Sequence, residues 1–122
     1  AASGCQGLEG QFLHHGGLLS TTIGTGQQWD APNGWAPLQW IAYQGLKNYT
    51  QHPLDAPARL AQTVRVRWCF NVTEKFRVSG KMLEKYNVIQ MNHDASGGEY
   101  EVQDGFGWSN GVLRRMMIED LT

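Results

Sequence analysis

Two stretches of the chain gather the side chains that could do chemistry. The first, Gly26-Gln27-Gln28-Trp29-Asp30-Ala31-Pro32-Asn33-Gly34-Trp35-Ala36-Pro37, sets an amide pair, a carboxylate and two indoles between prolines. Gln28 can donate to hydroxyl groups and accept from them. Trp29 or Trp35 offers a flat face to the apolar side of a sugar ring. The plainer alternative has Trp35 stapling the loop to the next helix and Asp30 accepting backbone N–H groups. The second stretch runs from Lys81 to Trp108 and holds Glu84, Glu99, Glu101 and Asp104 among glycines and aromatics. Glycoside hydrolysis works with two carboxyl groups flanking the scissile bond. Spacing does not choose among these four, and each also reads as a solvated or capping charge. The chain has 15 Gly and 5 Trp. Irregular loops carrying large flat rings suit carbohydrate, although tryptophan also serves as ordinary core.

The elements that must position these loops are helical. Leu8, Phe12 and Leu13 start a short helix that Gly16-Gly17 ends. Loop follows from Leu18 to Trp35. Pro37 suits a first helical turn, and Leu38, Ile41, Ala42, Gly45, Leu46 and Tyr49 follow with helical spacing. His52 to Pro57 is a turn. Leu60, Val64, Trp68, Val72 and Phe76 lie four apart and predict a helix with one buried face, broken at Ser79-Gly80. Lys81 to Tyr86 fits one helical turn, and Asn87 to Gly107 is loop. Ser109 or Asn110 caps a last helix with Val112, Leu113, Met116 and Met117, the methionines on its core face. There is no alternating strand pattern of useful length and no internal repeat. The class is all-α with long Gly/Trp-rich loops, and such loops in a compact domain are uncommon unless functional.

Composition sets the outer limits. A chain of 122 residues is one domain or part of one. A net charge of −1 gives no clustered cationic surface for nucleic acid or an anionic membrane. No apolar run approaches a membrane span. The first residues, Ala1-Ala2-Ser3-Gly4-Cys5, lack the basic and apolar regions of an intact signal peptide. Cys5 and Cys69 form no metal or redox spacing and read as small apolar residues. His14, His15, His52 and His93 form no ligand set either, so no metal and no cofactor is expected. Asn48-Tyr49-Thr50 and Asn71-Val72-Thr73 fit the glycosylation acceptor pattern, the second in mid-helix.

At the loops a family resemblance emerges. Gln28-Trp29-Asp30-Ala31-Pro32-Asn33-Gly34-Trp35-Ala36-Pro37 resembles a signature of the trehalases. Glu84-Lys85-Tyr86-Asn87-Val88 is similar to the family's Glu-Lys-Tyr element. Gly97-Gly98-Glu99-Tyr100, followed by Gln103-Asp104-Gly105-Phe106-Gly107-Trp108-Ser109-Asn110-Gly111-Val112, resembles its C-terminal motif. The three occur in the family's order, and the resemblance covers Gly16 to about Arg115. One departure is Glu101-Val102, where the family usually has Pro-Leu. It frees a φ angle in the loop that carries Glu99 and adds a negative charge there.

The resemblance implies that residues 1–122 are a single region, the C-terminal part of an (α/α)6 barrel, and thus an incomplete toroid. It implies inverting hydrolysis of α,α-trehalose to glucose. Glu84 is implied as the catalytic base and Glu99 as a substrate-binding residue near the sugar hydroxyls. Gln28, Trp29, Trp35, Phe106 and Trp108 are implied to line or support the pocket. The family's general acid is an Asp upstream of every motif present here. This chain is therefore expected to carry the base without the acid, to be inactive alone, and to need the N-terminal part of the barrel as partner. Its ligand would be trehalose or glucose, in a periplasmic or cytoplasmic setting. An incomplete barrel is expected to leave apolar helix faces open, for example that of Leu60, Val64 and Trp68. The alternatives are a non-catalytic sugar-binding module and a helical interaction domain.

Overall fold

The computed structural model describes residues 2–95, 97–98 and 101–120. Four helices make up most of them: α1 (Ala2–Gln11), α2 (Ala36–Tyr49), α3 (Ala56–Ser79) and α4 (Gly107–Asp120). Strands among the described residues are two residues long. β1 (Leu13–His14) pairs with β2 (Gly17–Leu18), and β3 (Asn33–Gly34) pairs with β4 (Tyr86–Asn87), both antiparallel. The all-α reading holds.

Each long helix has a physical beginning. Pro37 sits in the first turn of α2, where a missing N–H costs nothing. Asp55 caps α3, accepting the Ala58 N–H at 3.1 Å with one oxygen and those of Gln51 and His52 with the other. These backbone donors, Gln51 first, hold its carboxyl below the usual range. Gly80, whose N–H reaches the Phe76 carbonyl, closes α3.

α3 is the central element and packs against α1, α2 and α4. Trp68 and Val72 join Leu19, Ala36, Tyr43, Tyr86, Val88 and Met116 in one cluster, while Leu60 and Val64 join Cys5 and Leu18 in another. Leu60, Val64 and Trp68 are therefore buried within this chain, which corrects the expectation that they form an open face. The four-residue stripe explains the error. Each step of four advances roughly 40° around a helix of 3.6 residues per turn. By Phe76 the stripe has rotated into solvent, and that ring is half exposed. One apolar surface that does lie open is an α3–α4 groove of about 920 Å³, lined by Val66, Phe70, Phe76, Met82, Leu113 and Met117. Met116 is fully buried as expected, but Met117 is half exposed on this groove.

Three further local expectations change. The first helix ends at Gln11 rather than at Gly16-Gly17, and a hairpin takes over with Leu13 opposite Leu18. Gln39 stabilises that hairpin from α2. It accepts the Leu18 N–H at 2.9 Å and donates to the Leu18 carbonyl at 2.7 Å, the exchange a neighbouring strand would make. Lys81 to Tyr86 forms no helical turn, because its backbone bonds go to flanking segments instead. α4 starts at Gly107, so Ser109 is no cap. Its hydroxyl donates to the Leu83 carbonyl.

Candidate active site

The segment bearing Glu84 lies between two others. On one side β4 pairs with β3, Asn33 opposite Asn87 and Gly34 opposite Tyr86. On the other, Leu83 bridges Asp104. The first pairing demands glycine at position 34. A Cβ there would lie 2.6 Å from the Val88 Cγ1 and 2.7 Å from the Leu18 carbonyl oxygen, closer than atoms pack. Neighbouring bonds extend the ladder. The Val88 N–H donates to the Pro32 carbonyl, and the Gly16 N–H to the Val88 carbonyl, both at 2.9 Å. Asn71, buried on α3, donates to the carbonyls of Gly16 and Asn87. Its acceptor triplet lies within α3, as the mid-helix reading has it, with Asn71 and Val72 buried.

Glu84 itself is 2% exposed. Its N–H donates to the Gln103 carbonyl at 3.0 Å, and its Oε1 accepts the Gln103 N–H at 3.3 Å. The Trp108 indole donates to the Glu84 carbonyl at 3.1 Å. Backbone and carboxyl are thereby held together, while Oε2 accepts no hydrogen bond among the described residues. A fixed carboxylate with one uncommitted oxygen can take a proton from a water in front of it.

Aromatic rings run beside it. Trp29 stacks on Trp35 with centroids 3.7 Å apart and planes 11° from parallel. Trp35 meets the edge of Trp108 at 5.7 Å, and Trp108 meets Phe106 at 4.8 Å. Trp35 is buried, whereas Trp29 is 42% exposed and presents an open face. The Trp35 indole and the Asn33 amide both donate to the Gln28 carbonyl at 3.2 Å. The Gln28 side-chain oxygen is buried without a hydrogen-bond partner among the described residues.

The structure brings Gln28, Trp29, Trp35, Phe106 and Trp108 into one contact network that reaches the Glu84 backbone through the Trp108 indole. Glu99 lies outside the described residues. Asp30 does what the plainer alternative proposed: its carboxylate accepts the N–H and hydroxyl of Thr25. Asp104 is exposed, 3.9 Å from Lys81, and Glu101 is exposed. Among the described residues no cluster of His, Cys, Asp and Glu could hold a metal.

Sequence reasoning passed over Lys85. Its side chain is fully buried, with Nζ donating to the Gly97 carbonyl at 2.8 Å and standing 5.7 Å from the Trp35 ring centroid. Burial lowers its pKa, and the neighbouring Glu84 charge opposes that shift. Burial likewise raises the Tyr86 phenol, against the Leu83 N–H it accepts at 2.8 Å. A lysine next to a glutamate reads as a surface pair, so nothing in the local pattern signals its burial.

A helical scaffold whose loops bring a sequestered carboxylate to a ladder of indoles defines an all-α protein with a loop-built, aromatic-lined site. The trehalase family profile matches residues 6–120, and the chain belongs to that family. A Salmonella typhi relative is 45% identical over 117 residues, which are 96% of this chain and 20% of the relative. The periplasmic trehalases of Salmonella paratyphi B and Salmonella newport are 44% identical over the same shares. The chain thus spans about a fifth of the length of the curated relatives it matches.

Proposed function

We propose that this segment supplies the water-activating half of a trehalose-hydrolysing active site, with Glu84 as general base. The observation that carries the reading is the state of Glu84: buried, held at both backbone and carboxyl, one oxygen without a hydrogen bond among the described residues, in a segment that the Trp108 indole contacts. Family membership supports trehalose as the substrate. In an inverting reaction Glu84 Oε2 takes a proton from water as the water oxygen attacks the anomeric carbon. The glycosidic C–O bond breaks on the opposite face, and a carboxylic acid protonates the departing oxygen. The two carboxyl groups then stand roughly 6.5–9.5 Å apart, with the water between them. No carboxylate of this sequence matches the family's acid motif, so the acid comes from another part of the polypeptide. In this reading the segment is the C-terminal part of an (α/α)6 toroid and is inactive by itself.

Gln28 and Glu99 address sugar hydroxyls, the open face of Trp29 takes the apolar side of a ring, and Trp35, Phe106 and Trp108 support it.

The test uses the whole polypeptide that carries this segment. Glu84→Gln keeps the shape and removes the base, so glucose release should fall roughly 100- to 10,000-fold. Inversion on α,α-trehalose yields one α- and one β-glucose, which nuclear magnetic resonance distinguishes before mutarotation. Undiminished turnover in Glu84→Gln, or release of α-glucose alone, refutes the reading.

A further inference from the structure

Stability alone does not account for Lys85. Its ammonium is fully buried, yet among the described residues it makes one hydrogen bond, to the Gly97 carbonyl, and no ion pair. One carbonyl and one ring face offset only part of the cost of burying a cation with three donors. A methionine would fill much the same space without that cost.

What the ammonium holds is a turn with little freedom. Gly97 and Gly98 adopt φ of 101° and 90°, a region side chains disfavour. The Gly98 N–H donates to the Gly26 carbonyl at 3.3 Å. A Cβ on Gly97 would lie 2.7 Å from the Gly26 oxygen, and one on Gly98 would lie 3.0 Å from the Gln28 Cβ. The turn thus lies directly on the first loop, against the residue whose side-chain oxygen has no hydrogen-bond partner among the described residues. It also immediately precedes Glu99 in the sequence. Lys85, adjacent to Glu84, ties this turn to the segment that carries the base.

We propose that Lys85 is a positioning residue: its ammonium locks the Gly97–Gly98 turn and the Trp35 ring against the Glu84 segment, and so fixes the spacing between base and sugar contacts. The inference rests on the reading of Glu84 as the base. Among the described residues, the charged side chains of the loop segments packed against Glu84 are exposed or engaged elsewhere: Asp104 and Lys81 approach each other at the surface, Glu101 is exposed, and Asp30 in the first loop is turned to Thr25. The Tyr86 phenol is occupied by the Leu83 N–H, and α4 contributes the Trp108 indole.

The experiment compares Lys85→Met, Lys85→Arg and Glu84→Gln in the whole polypeptide, measuring kcat, KM and thermal midpoint. Lys85→Met should lower kcat roughly tenfold or more, with KM changed less, while leaving the thermal midpoint unchanged or higher, because the desolvation cost of a buried charge is gone. A lower midpoint with kcat unchanged overturns the proposal and makes Lys85 purely structural. Should Lys85→Met not fold, Lys85→Arg decides. It retains the charge and displaces Gly97, so kcat should fall, and wild-type kcat overturns the proposal. Full activity in Glu84→Gln signals a different failure, that of the base reading itself.

Discussion

Gln39→Met removes an amide while keeping most of the side chain's length, so it isolates two hydrogen bonds. In the fold, Gln39 is fully buried and exchanges both bonds with the backbone of Leu18, itself 4% exposed. After the replacement the Leu18 N–H and carbonyl lose their partners where water does not reach. Each orphaned group costs about 1–3 kcal/mol, for a total of about 2–5 kcal/mol once some relaxation is allowed. That is a large part of the roughly 5–15 kcal/mol that holds a domain together. Urea unfolding of the whole polypeptide, followed by tryptophan fluorescence, should show an earlier transition at nearly unchanged slope. Gln39→Glu at neutral pH should be worse, because it turns a carboxylate toward the Leu18 carbonyl. A loss below about 0.5 kcal/mol in both variants would refute the idea that this amide completes the hairpin.

Two further outcomes follow from the same scaffold. Gly34→Ala pushes a methyl group against Val88 and the Leu18 carbonyl, and should cost about 1–3 kcal/mol with reduced kcat, read by thermal unfolding and glucose release. The Tyr43 phenol is pushed up to about 12, first by burial and then by its 2.6 Å hydrogen bond to Glu119. Because its folded pKa lies above the unfolded value near 10, the stability it contributes is complete below about pH 10 and is lost as pH rises through 12. Phenolate absorbance should show a late-titrating tyrosine whose transition moves to lower pH in Glu119→Gln.

The legible parts of this protein were those with long-range repetition or long motifs. α2 and α3 announced themselves through apolar spacing, Pro37 and the Gly80 stop. The pocket aromatics were legible because Gln28 to Pro37 and Gly97 to Val112 are unusual strings. What sequence could not carry was pairing. A ladder of two residues, such as Asn33 and Gly34 with Asn87 and Tyr86, contains no alternation to detect. Ser109 looked like a cap because serine favours that place, but its hydroxyl is claimed by the Leu83 carbonyl. The buried state of Lys85 depends on Trp35 and Gly97, which approach it only in three dimensions.

The β3–β4 ladder also constrains the order in which the chain can assemble. It joins two motifs with about fifty residues between them, and most of that interval is α2 and α3. Closing so long a loop carries an entropic cost that a two-residue ladder repays poorly by itself. Neighbouring helices α2 and α3 must therefore dock first and bring the ends together, so contact order makes the ladder a late event. On the ribosome, Glu84 meets its indole neighbours only after the helix pair has emerged and Trp108 has followed. Slowing synthesis within α3 would leave Trp29 and Trp35 waiting as exposed rings, a stage at which a chaperone has the most to shield.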